Sequence, residues 1–209
     1  MLIETYSDVV CPWCYIGRRR LQQALRARPE LAFELRWLPF ELNPDMPAEG
    51  TDRAAYLAAK FGDLSRLEAM HAQMRAIGAP LGITFRFELI KRAPNTRAAH
   101  ALLELAGLHG RQTEILDALF RAYFEEGRDI GDASVLETIA ATQGLGGTAV
   151  TAALHDEALH AQVVEYERQA AELGISGVPT FIFERRYAVS GAQEPAVFID
   201  IFERIRAAA

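Results

Sequence analysis

SDVVCPWCYIG, residues 7–17, holds both cysteines of a 209-residue chain, Cys11 and Cys14, with Pro12 and Trp13 between them. LIETYS, residues 2–7, is rich in strand formers. CPWCYIGRRRLQQALRAR, residues 11–28, carries Cys14, Gly17 or Arg18, Leu21 and Leu25 along one helical face. Pro12 suits a first helical turn, where no backbone N–H is needed. The motif therefore lies where a strand gives way to a helix. AFELRWLPF, residues 32–40, then alternates, with Phe33, Leu35 and Trp37 on one side. Strand, helix, strand calls for a parallel crossover with the helix on the sheet face. Cys11 is thereby expected at the carboxyl edge of the first strand, where open α/β sheets carry their sites.

That position gives two thiols a chemistry. The thiolate is the reactive form, and the start of a helix favours negative charge and lowers a thiol pKa. Cys11 is at that spot. Cys14, one helical turn on, is close enough to attack a mixed disulfide formed at Cys11. The expected pair is an exposed, acidic nucleophile at Cys11 and a shielded resolving thiol at Cys14. Half a zinc site is the competing reading, but its remaining ligands would come from five scattered histidines, and His155 and His160 point to different helix faces. An inert core pair is the plainer reading of any CxxC; the strand-to-helix junction is what favours reactivity here.

From about Asn43 to His160 the pattern is helical, broken by Gly and Pro, in stretches 51–62, 64–78, 95–110, 112–127 and 132–144. Leu102, Leu103 and Leu105, then Ile115, Leu119, Phe120 and Phe124, give these helices apolar faces. ITFRFELI, residues 83–90, alternates but stands alone and reads as an extended connector. After a further helix at 158–174 come two short strands, PTFIF (179–183) and YAVSG (187–191), joined by a turn at 184–186. Pro195 opens a last helix with Phe198, Ile201, Phe202 and Ile205 on its stripe. The expected architecture is α/β, a discontinuous sheet domain of residues 1–42 and 156–209 with an all-helical insertion at 43–155.

Composition bounds the function. Half of the residues are hydrophobic and 24% charged, which suits one compact unit. A net charge of -6 argues against a nucleic-acid surface. The first residues lack a basic region and a long apolar run, and no stretch is apolar enough to span a membrane. A cytosolic protein without a membrane segment is expected, and in that reducing compartment a CxxC is catalytic or metal-binding before it is structural.

A second signal is SGVPTFIF, residues 176–183. Proline before a strand is at its plainest a strand-start residue. Together with SDVVCPWCYIG and NTRAAHALL, residues 95–103, it resembles the DsbA family of thioredoxin-fold proteins, in particular its FrnE-like branch, related to the kappa glutathione transferases and the 2-hydroxychromene-2-carboxylate isomerases. The resemblance covers essentially the whole chain. It implies a thioredoxin-like fold with a large helical insertion. It further implies Cys11 as attacking thiol, Cys14 as its partner, and Pro179 as a cis-proline whose neighbour Val178 pairs with substrate through its backbone. Pro12 and Trp13 fall on the dipeptide that tunes redox poise. Glutathione-using relatives commonly carry serine at the Cys11 position, a departure that favours disulfide exchange here.

Asn95 matches a family asparagine facing the active site, and equally suits a helix N-cap. His100, five residues on, reads as structural. The run Arg18, Arg19 and Arg20 reads as solvated. SGAQ, residues 190–193, matches a turn that helps hold glutathione's anionic end in relatives. The expected function is thiol-disulfide exchange, cycling Cys11 and Cys14 with protein thiols or glutathione as partners, with no metal and no organic cofactor and with glutathione open as a co-substrate. The alternative is a glutathione-dependent isomerase or transferase acting on a small aromatic molecule. Apolar cap helices allow a homodimer.

Overall fold

A computed structural model describes residues 1–62 and 64–208. Strand β1 (Leu2–Ser7) is one of two inner strands of a four-stranded sheet. Helix α1 (Pro12–Arg26) crosses one face to β2 (Glu34–Pro39), which lies parallel to β1 in register from Leu2 opposite Glu34 to Ser7 opposite Pro39. On the other side of β1 runs antiparallel β5 (Thr180–Phe183), then β6 (Tyr187–Ser190) at the edge, giving the order β2-β1-β5-β6. The β5–β6 turn places Glu184 and Arg185 at positive φ. Glu184 accepts the Leu2 N–H, and Arg185 reaches back to Glu4 at 2.9 Å.

The buried positions of the sheet centre follow strand alternation. Ile3, Phe181 and Phe183 pack toward α1 and the last helix, residues Pro195–Ala207, through Phe198 and Phe202. Tyr6 and Leu38 pack on the opposite face against Ala170 of the helix Glu157–Glu172. Successive strand residues point to opposite faces, so each face receives its own layer.

The insertion begins with a two-stranded ribbon, β3 (Thr51–Asp52) against β4 (Arg92–Ala93). Between and beyond these come α2 (Arg53–Phe61), α3 (Leu64–Gly78), α4 (Arg97–Leu108), α5 (Gln112–Phe124), α6 (Ala133–Thr142) and α7 (Thr148–Leu154). The sequence does not disclose the ribbon, because a two-residue strand has no periodicity to read. Residues 83–90 form the expected connector, apart from one 3-10 turn at Phe87–Leu89. One apolar cluster runs from Ile3 and Phe181 through Cys14 and Tyr15 to Phe120, Leu102 and Leu136. Tyr15 stacks on Phe120 with ring centroids 4.9 Å apart and meets Phe85 edge-on. At the β2 edge, the Gln112 side chain bonds both the N–H and the C=O of Trp37 at 2.9 Å, covering the exposed edge that an outer strand otherwise presents.

Candidate active site

Cys11 is the N-cap of α1, in extended backbone conformation, and Pro12 occupies the first turn. The Cys11 N–H donates to the Asp8 carbonyl at 3.1 Å, and the Cys11 carbonyl accepts the N–H groups of Cys14 and Tyr15. The sulfur thus stands at the start of a helix that carries no acidic residue in its first turn. Cys14 lies one turn on, and both thiols are free. The surroundings of Cys14 are the Cys11 thiol, the Ser7 hydroxyl and the Asp8 backbone; burial, and then Cys11, push its pKa well up. Ser7 has no other hydrogen-bond partner for its buried hydroxyl.

The Val178–Pro179 peptide is cis. Cys11 Sγ lies 3.7 Å from the Val178 carbonyl oxygen, so two segments 167 residues apart meet at the sulfur. This contact corrects one expectation: Cys11 is not the exposed thiol, being 4% exposed against 2% for Cys14. The loop before β5 lies over it. The 190–193 turn is drawn to the same place, with the Gly191 N–H donating to the Pro179 carbonyl at 2.7 Å and Arg20 Nη1 to the Ala192 carbonyl at 2.5 Å. Gly17 makes the approach possible, since a Cβ there would stand 3.0 Å from Pro179 Cγ and 3.1 Å from Phe181 Cζ. Trp13 is half-buried against the core and Pro12 half-buried beside it.

The arginine run is a second correction. Arg18 is buried, bonded to Asp117 of α5 at 2.8 Å and set 5.7 Å from the centre of the Trp37 ring. Burial lowers its pKa, and Asp117 opposes that shift. Arg19 reaches Tyr15 Oη at 3.3 Å, and Arg20 pairs with Glu194. Helix geometry sends three consecutive side chains in three directions, and each finds a partner.

Asn95 has both amide ends engaged inside the chain: Nδ2 donates to the Met46 carbonyl and Oδ1 accepts the Arg97 N–H, while Thr96 holds the N-cap position of α4. His100 is buried with its Nε2 3.5 Å from Asp8 Oδ1. The fully buried Asp8 also accepts the N–H groups of Val10 and Leu42. Its carboxylate therefore ties the turn before Cys11 to α4 and to the chain after β2. The sequence reading passed over Asp8, although an acidic residue between a buried strand and a reactive motif is a legible signal. Among the described residues, no group of three or more His, Cys, Asp or Glu could hold a metal ion, and no helix is long and apolar enough to cross a membrane.

Comparison with known proteins is consistent over the whole chain. A family model described as a DSBA-like thioredoxin domain matches residues 2–203. The crystal structure of the probable DsbA oxidoreductase SCO1869 from Streptomyces coelicolor superposes with a TM-score of 0.89 at 35% identity, covering 98% of this chain and 89% of that one. A 2-hydroxychromene-2-carboxylate isomerase shares the fold at TM-score 0.76 and 17% identity, over 98% and 96% of the two chains. The cytosolic disulfide reductase DsbM from Pseudomonas aeruginosa, solved with GSH, does so at 0.69 and 24%, over 99% and 100%.

Proposed function

The chain belongs to the DSBA-like thioredoxin domain family, and we propose that it acts within it as a thiol-disulfide oxidoreductase cycling Cys11 and Cys14 between dithiol and disulfide. The observation that carries this reading is the meeting of the paired thiols with the Val178–Pro179 segment at a helix start. In the reducing direction the Cys11 thiolate attacks a substrate disulfide, forming a mixed disulfide and releasing one thiolate. Cys14 then attacks Cys11 Sγ; its proton passes to the departing second thiolate, the Cys11–Cys14 disulfide forms, and the substrate has gained two electrons. The oxidising direction is the reverse.

Pro12 and Trp13 set the redox poise in this proposal, and Val178 offers its backbone to the substrate beside Pro179. Asn95 supports the start of α4, not the substrate, because its amide is already bonded at both ends. Glutathione is the proposed physiological reductant, two molecules of this monothiol reopening the Cys11–Cys14 disulfide, in a cytosolic setting, a choice prompted by the glutathione-bound neighbour. No metal or organic cofactor enters these steps.

The test is reduction of glutathione-mixed and protein disulfides, followed alongside 2-hydroxychromene-type isomerisation in the same preparation. Exchange abolished by Cys11→Ser, and trapped as mixed disulfides by Cys14→Ser, is the expected result. Rapid isomerisation with negligible exchange would overturn the proposal in favour of the glutathione-dependent isomerase.

A further inference from the structure

Helix α2 has no buried residue; its half-buried Tyr56 and Leu57 and its exposed Phe61 all line the space beside it. Beneath it is a partly enclosed cavity of about 140 Å³. Val10 and Pro12, the neighbours of Cys11 in sequence, form part of its wall. The chain has four methionines, and the three beyond Met1, namely Met46, Met70 and Met74, all line this space. Thioether side chains adapt to the shape of what they enclose. A helix whose apolar face covers a void walled in part by both sequence neighbours of Cys11 has the makings of a binding wall.

The cavity's charge is one-sided. Arg53 and Lys60 line it, and no described Asp or Glu does, in a protein of net charge -6. Arg53 Nη1 donates to the Phe87 carbonyl at 3.3 Å, and its guanidinium stands 5.8 Å from the centre of the Phe87 ring. Among the described residues no carboxylate pairs with it. Among the described residues, the oxygens that Lys60 Nζ bonds are neutral, Tyr56 Oη at 2.6 Å and Asn43 Oδ1 at 3.3 Å. His71 adds no charge at neutral pH, because burial and the cations Arg53 and Arg75 push its pKa down to about 4. Among the described residues, these two cations at the rim of an apolar space have no carboxylate partner.

We propose that this cavity is the substrate subsite of the dithiol and takes the apolar, carboxylate-bearing arm of a low-molecular-weight disulfide, with the carboxylate held by Arg53 and Lys60. The assignment rests on the exchange reading above and names its substrate class. Size sets the arm at one aromatic ring or a short aliphatic chain, since an apolar cavity of about 150 Å³ holds benzene. A polar tripeptide with a charged ammonium fits neither the volume nor the lining. The arm enters as half of the disulfide, becomes bonded to Cys11 Sγ as the other half leaves as thiolate, and departs as a thiol when Cys14 closes the protein disulfide.

Two measurements test this. Reduced protein is mixed with 5,5′-dithiobis(2-nitrobenzoate), whose arms are single carboxylated rings, and with uncharged 4,4′-dithiodipyridine. Arg53→Gln with Lys60→Gln should slow the anionic reagent tenfold or more and the neutral one less than twofold; equal slowing, or none, overturns the proposal. Separately, 4-phenylbutyrate is titrated into the Cys11→Ser, Cys14→Ser protein carrying 13C-methyl methionine. Saturable shifts at Met46, Met70 and Met74 but not Met1 are expected. They should be lost both in the cation variant and in Leu57→Trp, which fills the space and keeps both cations. The methionine spectrum itself reports whether each variant is folded. Disulfide exchange without those shifts overturns the subsite and leaves the oxidoreductase reading standing. Shifts with no exchange on either reagent overturn the oxidoreductase reading, and the subsite's role as a substrate site with it.

Discussion

A methyl group on Gly17 would meet Pro179 Cγ at 3.0 Å and Phe181 Cζ at 3.1 Å, tighter than nine in ten real Cβ contacts. Gly17→Ala should therefore destabilise by about 1–3 kcal/mol through overpacking. Gly17→Val should in addition slow disulfide exchange by about a hundredfold, the scale of a misplacement near 1 Å; denaturant unfolding and exchange rates, measured together, check both. Cys14 carries a pH signature. Its pKa is raised in the fold by burial first and by Cys11 second, so the folded state keeps a proton that the unfolded chain releases above about pH 8.5. Stability from this group is complete below that pH and declines as pH rises toward the folded value, with a slope of up to about 1.4 kcal/mol per unit. The reduced protein should show this alkaline loss, and Cys14→Ala should not.

Between elements, α1 is joined to α5 by a stacked aromatic contact, Tyr15 on Phe120, and by the buried Arg18–Asp117 pair. Removing the anion strands a guanidinium among apolar side chains. Asp117→Ala should cost about 3 kcal/mol, whereas Arg18→Met with Asp117→Leu should come near the wild type, because desolvating both charges cancels much of the pair's attraction. A double-mutant cycle in urea checks this; near-equal losses for the single and double variants would show the pair to be incidental. Across the cavity, His71 stacks on Phe87 with centroids 4.1 Å apart. Its imidazole should stay neutral to pH 5 and titrate near pH 4 by NMR. As the folded pKa is depressed, the unfolded chain takes up the proton first, and this group's contribution to stability is lost as pH falls from about 6.5 toward 4.

In the whole molecule, helices α2 to α7 separate β2 from β5 in sequence but do not divide the core, since one apolar cluster crosses from the sheet into α4 and α5. Unfolding should follow as one transition. The two tryptophans, Trp13 and Trp37, report the sheet domain by fluorescence, while far-ultraviolet circular dichroism is dominated by the inserted helices. Coincident urea curves from the two signals are expected; separated midpoints would show two independently folding units.

The strand, helix, strand order, the parallel β1–β2 pairing, the final helix and the paired thiols at the head of α1 were legible in the sequence, because hydrophobic period, Pro12 and Pro195 act within a few residues of themselves. The resemblance carried by CPWC and SGVPT extended that to the fold. Local pattern did not disclose the β3–β4 ribbon, whose strands are two residues long, or the burial of Arg18, whose partner is 99 residues away. Nor could it show that Val178 covers Cys11, that Asp8 faces His100, or that three methionines and two cations surround one space. Each of those depends on segments distant in sequence becoming neighbours, and only the closing of the common core fixes which side chains then share a dry, low-dielectric volume.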